Sequence, residues 1–136
     1  MSYVIPMLVC RDAAAQIEFC RNAFDAVELS RRAARDGSVV HATLQIGAAM
    51  VMVHDEQPHL ASRAPAADGS SPVVVYLYCD AVDPVIERAM AAGAHVLLPA
   101  EDQFWGDRVG RIMDPAGHVW NIAARIRPEG SPEAIR

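Results

Sequence analysis

Along residues 39–46, His41, Thr43 and Gln45 alternate with Ala42, Leu44 and Ile46. Alternation with period two puts the three polar side chains on one face of a strand and the apolar ones, Val40 among them, on the other. A polar face on a strand whose other face is core lines either solvent or a ligand, and His41, able to donate, accept or carry a proton near neutral pH, is its most versatile member. His54 and Glu56 follow on the next strand segment. Two imidazoles and a carboxylate are the minimum for a metal triad, yet no HxH or HExxH spacing accompanies them, so two pocket-lining polar residues is the stronger reading. Tyr76 and Tyr78 share one face of a later apolar segment and offer flat rings with polar tips. Phe104 and Trp105 stand outside any periodic apolar run, next to Asp107 and Arg108. Aromatic rings in such a loop make a contact surface, and Arg108 can pair with Asp107 or with a ligand carboxylate.

Several chemistries are excluded by residue type. All twelve basic residues are arginine, so no amine can form a Schiff base or act as a lysine base. Cys10, Cys20 and Cys79 are widely spaced inside apolar segments, without CxxC, and read as buried free thiols of a cytoplasmic, reducing setting. The net charge of −5 and the lack of a basic run argue against nucleic acid as partner. No apolar run reaches membrane-spanning length and no signal-peptide pattern opens the sequence.

The elements that must position these residues are legible as a repeat. Tyr3 to Cys10 predicts a strand, with Pro6 marking an edge or bulge. Asp12 caps a helix running to Phe24, where Asp25 takes the left-handed position. Strands follow at 27–33, 39–46 and 49–54, turning at Asp36-Gly37 and Gly47. Residues 55–72 lack periodicity and form a linker or mobile loop. A strand at 73–79, a helix opened by Asp83-Pro84 and ended before Gly93, and strands at 95–98, 108–113 and 118–125 repeat the order. The 136-residue chain is therefore one α+β domain of two βαβββ modules: about 3–54, linker 55–72, about 73–126, and a polar tail at 127–136. Trp120, alternating with Asn121, falls on the core face, and His118 in the preceding turn is structural.

Three stretches, PMLVCRDAAAQIEFCRNAFDA, DGSVVHATLQIG and EDQFWGDRVGRIMDPAGHVWNIAAR, resemble the glyoxalase/bleomycin-resistance/extradiol-dioxygenase (vicinal oxygen chelate) superfamily. The resemblance implies that each module curls its sheet into a half-open cup, that the modules surround a pocket, and that the helices lie on the convex side. It also implies metal-ligand positions on the first and last strand of each module. Here these fall on Ile5, Met52 (Val51 if the register slips), Val74 (or Val73) and Asn121. None is an imidazole, carboxylate or thiolate, so the inherited metal site is expected to be lost, leaving no cofactor. Met7, Met50 and Met52 add adaptable apolar surface to the same face.

Together these features describe a metal-free protein of the bleomycin-resistance type that sequesters an aromatic or polycyclic compound. The expected binding set is His41, Thr43, Met52, Tyr76, Tyr78, Phe104, Trp105, Arg108 and Asn121. The alternative is a lyase, isomerase or dioxygenase with a displaced metal site at His41 and His54, or with metal-free acid–base chemistry at His41. A homodimer is expected, because the resemblance places the pocket where chains meet.

Overall fold

The computed structural model describes residues 1–66 and 68–127; most of the expected tail, 128–136, lies outside the described residues. Two four-stranded sheets are present. The first has the order β1-β4-β3-β2, from β1 (Met7–Cys10), β2 (Val27–Ala33), β3 (Val39–Ile46) and β4 (Ala49–Asp55). The second has the order β5-β8-β7-β6, from β5 (Val74–Tyr78), β6 (His95–Asp102), β7 (Asp107–Met113) and β8 (Val119–Arg125). Helix α1 (Ala13–Phe24) connects β1 to β2, and α2 (Val82–Ala91) connects β5 to β6. In each module the first strand runs parallel to the last and the other pairs are antiparallel, so both sheets are mixed and both are open. This is the expected pair of βαβββ modules. Among the described residues, no helix is long and apolar enough to cross a membrane.

Local chemistry fixes most of the boundaries. The Asp12 carboxylate accepts the Ala15 amide at 3.1 Å, and Asp55 at the end of β4 accepts those of Ala13 at 2.8 Å and Val39 at 2.6 Å. One carboxylate thus ties the start of α1 to the start of β3. Asp25 ends α1 with φ 54, the left-handed conformation expected of it. The first strand is shorter than its sequence indicates, because Pro6 has no N–H and contributes only its carbonyl, which accepts the Met52 amide at 2.9 Å. Helix α2 departs in a different way. Its cap is Ala81, without a side-chain hydrogen bond, and Asp83 lies in the first turn with its carboxylate engaged by Arg108. Pro84 is tolerated there because first-turn amides have no intrahelical acceptor.

Irregularities explain the remaining differences. The β2–β3 ladder shifts between Arg32 and Ala33, which turns Val39 into the core and leaves Val40 exposed, the reverse of strict alternation. Strand β6 reaches Asp102, four residues beyond its expected end, through two register shifts around edge-strand Pro99. The segment after β4 is tied down in its first part: Gln57 bridges Ser62, Glu56 accepts the Ala64 amide at 2.9 Å, and Arg11 holds the Pro65 carbonyl at 2.8 Å.

The modules share one core, built where α1 lies on α2. Phe24 of α1 stacks at a tilt on Trp120 of β8, centroids 4.7 Å apart, and Trp120 is fully buried. Gly110 of β7 faces α2 closely: a Cβ there would stand 2.5 Å from Ile86 Cδ1 and 3.3 Å from the Ala100 backbone, so any larger residue would require Ile86 to shift. The junction is held by Asp114. This buried carboxylate accepts Gln16 Nε2 of α1 at 2.7 Å, Trp120 Nε1 at 2.8 Å, and the Ala116 and His118 amides at 3.0 and 2.9 Å. His118 reaches across to the Val9 carbonyl at 2.8 Å, which is its structural role. Cys10 and Cys20 lie in the same core as free thiols. Burial, reinforced by Asp114, pushes the Cys10 thiol up to about 12 and raises that of Cys20 as well, so neither is a thiolate near neutral pH.

Replacing Asp114 by Ala strands the Gln16 and Trp120 donors, each costing roughly 1–3 kcal/mol when buried without an acceptor. Urea melts of Asp114→Ala should therefore show a loss of about 2–5 kcal/mol, and an unchanged midpoint would show that the two modules do not depend on this carboxylate.

Candidate functional site

The phase of each strand decides which side chains face the open, concave side. In β7, Gly110 and Ile112 pack toward α2, so Asp107, Val109 and Arg111 face the concave side. In β8 the buried Trp120 and Ile122 set the opposite phase for Asn121 and Ala123. Register then brings Tyr76 beside Asn121, Arg111 beside Asn121, and Val109 beside Ala123.

Asp107 organises this face. Its side chain is 1% exposed. Three donors converge on its Oδ2: the Tyr78 hydroxyl at 2.6 Å, the Tyr76 hydroxyl at 3.0 Å and the Trp105 indole N–H at 3.2 Å. Its Oδ1 has no hydrogen-bond donor but lies 3.6 Å from Arg125 Nη1, whose guanidinium also stands 5.0 Å above the Tyr78 ring. The Tyr76 and Tyr78 rings are 5.2 Å apart, and Phe104 meets Trp105 edge to face at 5.0 Å. Donating to Asp107 pushes the Tyr78 phenol up to about 12, and burial is the leading cause of the rise at Tyr76. Both hydroxyls therefore stay protonated as donors, and the two rings and the indole are held in fixed orientations.

Two concavities flank this cluster. A groove of about 740 Å³ runs along the free edge of β5 between the modules, with Tyr76 and Tyr78 on one side and the Gly47–Ala49 turn on the other. A smaller cavity of about 230 Å³ lies inside the second sheet and is walled by Leu98, Val109 and Trp105, with Arg111 and Asn121 at its floor. Arg111 Nε donates to Asn121 Oδ1 at 2.7 Å.

The structure thus joins Tyr76, Tyr78, Trp105, Phe104 and Asn121 in one region. His41, Thr43 and Met52 lie together on the concave face of the other sheet, His41 Nε2 being 3.3 Å from the Thr43 hydroxyl. Among the described residues, no strand of one sheet contacts a strand of the other. Arg108 belongs to neither face. It turns toward the helix side, where it makes a forked pair with Asp83 at 2.9 and 3.1 Å and a third bond to Asp102 at 3.0 Å. Its place inward is taken by Asp107 and Arg111, which sequence reasoning did not select. The signal was present: taking Ile112 as core fixes odd-numbered residues of β7 as inward.

Residues 3–122 match the profile of the Glyoxalase/Bleomycin resistance protein/Dioxygenase superfamily. The chain belongs to this superfamily. Uncharacterized proteins of Mycobacterium bovis and Mycobacterium tuberculosis are 43% identical over 125 residues, spanning 90% of this chain and 82% and 74% of theirs. Among solved structures, TioX from Micromonospora sp. ML1 is 28% identical, with a TM-score of 0.71 over 92% of this chain and 99% of its own. A glyoxalase-related enzyme from Fulvimarina pelagi shares the fold at 23% identity, with a TM-score of 0.72 over 96% of this chain and 94% of its own.

Superfamily membership raises the question of a metal, and the donor chemistry answers it. Met7 is the ladder partner of Met52 and Tyr76 that of Asn121, and the expected positions Ile5 and Val74, two residues before Met7 and Tyr76, carry no donor atom in their side chains. Two thioethers, a phenol and an amide do not fit a divalent transition ion, and the phenol and amide are already bonded to Asp107 and Arg111. At the displaced position, Glu56 is turned away to the Ala64 amide and His54 Nδ1 lies 2.6 Å from the Asp55 carbonyl. Among the described residues, no three His, Cys, Asp or Glu side chains gather in a metal-binding arrangement.

Because the folded Tyr78 phenol titrates above its unfolded value of about 10, its contribution is intact below that pH and is lost as pH rises through 12. Stability should fall between about pH 10 and 12, and more steeply in the native chain than in Tyr78→Phe. Parallel slopes in denaturant melts across that window would break the link between Tyr78 and Asp107.

Proposed function

We propose that this protein binds a small, flat aromatic compound on its concave surface without a metal, and sequesters it in the manner of bleomycin-resistance proteins. The observation that carries this reading is the convergence of Tyr76, Tyr78 and Trp105 on one oxygen of Asp107. Aromatic rings fixed in advance lose little freedom when a ligand stacks on them, which raises affinity without new contacts. Phe104 extends the surface, Asn121 supplies a polar group at its floor, and His41, Thr43 and Met52 form a second patch that a larger ligand would reach. Binding of this kind needs no nucleophile or redox centre. Among the described residues, the side-chain partner of His41 is the Thr43 hydroxyl and not a carboxylate.

The same reading includes a homodimer in a cytoplasmic setting. Both concave faces expose apolar side chains, Met7 at 47%, Tyr78 at 47% and Leu98 at 55%, and the modules meet through their helices. Each cup therefore lacks its other wall within one chain, and a second copy related by a two-fold axis would provide it.

Two measurements test this. Trp105→Ala should weaken binding of flat aromatic compounds by roughly 1–3 kcal/mol and cost only about 1 kcal/mol of stability, that of one of the three donors to Asp107, whereas Trp120→Ala should cost about 3–5 kcal/mol of stability. Equal destabilisation by both would make Trp105 a core residue and remove the platform. Sedimentation should give a dimer at micromolar concentration, and a stable monomer would overturn the shared cup.

A further inference from the structure

Arg111 faces the concave side, and among the described residues no carboxylate lies within 4.0 Å of it. Arg21, Arg31, Arg88, Arg108 and Arg125 each lie within 4.0 Å of a carboxylate, Arg11 and Arg127 bond backbone carbonyls, and Arg32, Arg35 and Arg63 are exposed to solvent. Arg111 is half-buried on the concave face, and among the described residues its hydrogen-bond partner is the neutral Asn121 amide. A half-buried guanidinium bonded through Nε to an amide keeps its terminal nitrogens open to an anion from outside the chain.

The geometry points to an anion-binding subsite: we propose that Arg111 receives the carboxylate of a planar aromatic acid. Asn121 takes the Nε–H, which fixes the guanidinium plane and leaves the two terminal nitrogens as a forked pair. That fork matches the two coplanar oxygens of a carboxylate. The walls beside it are Leu98, Val109 and Trp105, so the body of the ligand meets apolar surface where its head meets charge. Glu101 also borders the cavity, and its negative charge disfavours a phosphate dianion more than a carboxylate monoanion. At about 230 Å³ the cavity is below the range typical of drug-sized ligands, which fits an acid of one or two rings, or one such end of a larger molecule. This inference rests on the binding role proposed above and names the chemical class the site prefers.

The test compares benzoate and naphthoate with benzamide and naphthamide, neutral compounds of nearly the same shape, near neutral pH on the full chain. Calorimetry gives the affinities, and the arginine Nε–H region of a proton–nitrogen NMR spectrum reports Arg111 directly. Naphthoate should bind at least about tenfold more tightly than naphthamide and shift the Arg111 resonance, consistent with a charge-assisted forked pair. Arg111→Gln should abolish the preference, and Arg111→Lys should retain part of it; if thermal melts show Arg111→Gln unfolded, the Lys variant and the resonance shift decide. Equal affinity of acid and amide in the native chain, or a preference that survives in folded Arg111→Gln, overturns the anion subsite. In that case, Trp105-dependent binding of the amides would still uphold the binding role. Failure of all four compounds to bind at millimolar concentration counts against both.

Discussion

The buried Asp114 carboxylate is the constraint through which the two halves of this chain become one body. A carboxylate taken out of water is strongly unfavourable unless its lone pairs are filled, and here four donors fill them. Two of these donors are the amides of its own turn, one is the indole of the central core residue, and one comes from the helix of the other module. A single charge therefore sets the β7–β8 turn, orients Trp120 and locates α1. Because Trp120 in turn receives Phe24, the shared core grows outward from this point.

Joining the modules through their helices has a consequence at the opposite surface. The convex sides are used up against α1 and α2, so the concave sides remain open and carry the functional candidates. A second buried carboxylate, Asp107, does for this surface what Asp114 does for the core. It gathers donors from β5 and from the β6–β7 turn, which lie far apart in sequence, and converts separate aromatic side chains into one surface. The two aspartates share a strategy: a charge with its partners supplied holds neighbouring groups in one arrangement, because losing any partner leaves the charge exposed to a low-dielectric surrounding. Arg111 is the contrast, a charge bonded to a neutral amide, with no carboxylate within 4.0 Å among the described residues.

Much of the architecture was legible because it is governed by local rules. The helix starting after Asp12, the left-handed Asp25, the repeated turn glycines Gly47 and Gly117, and the inward phase of His41, Thr43 and Gln45 all follow from residue type and spacing. Superfamily membership rested on motifs that span nearly the whole chain. The misreadings lie where a local rule met a nonlocal contact. Val40 changed face because β2 and β3 slip against each other at a bulge. Arg108, expected to pair with Asp107 or a ligand carboxylate, instead bonds Asp83 and Asp102 on the helix side, carboxylates that its neighbours in sequence do not reveal.

The sequence by itself determined the two βαβββ modules and the core status of Trp120. These depend on side-chain chemistry and on periods of two and 3.6 residues, which a short window contains. The tertiary structure alone decided that the modules meet helix to helix and that Asp107 collects Tyr76, Tyr78 and Trp105. Each of these arrangements joins residues separated by up to about a hundred positions, and no period or spacing encodes which distant donor will reach a buried carboxylate first.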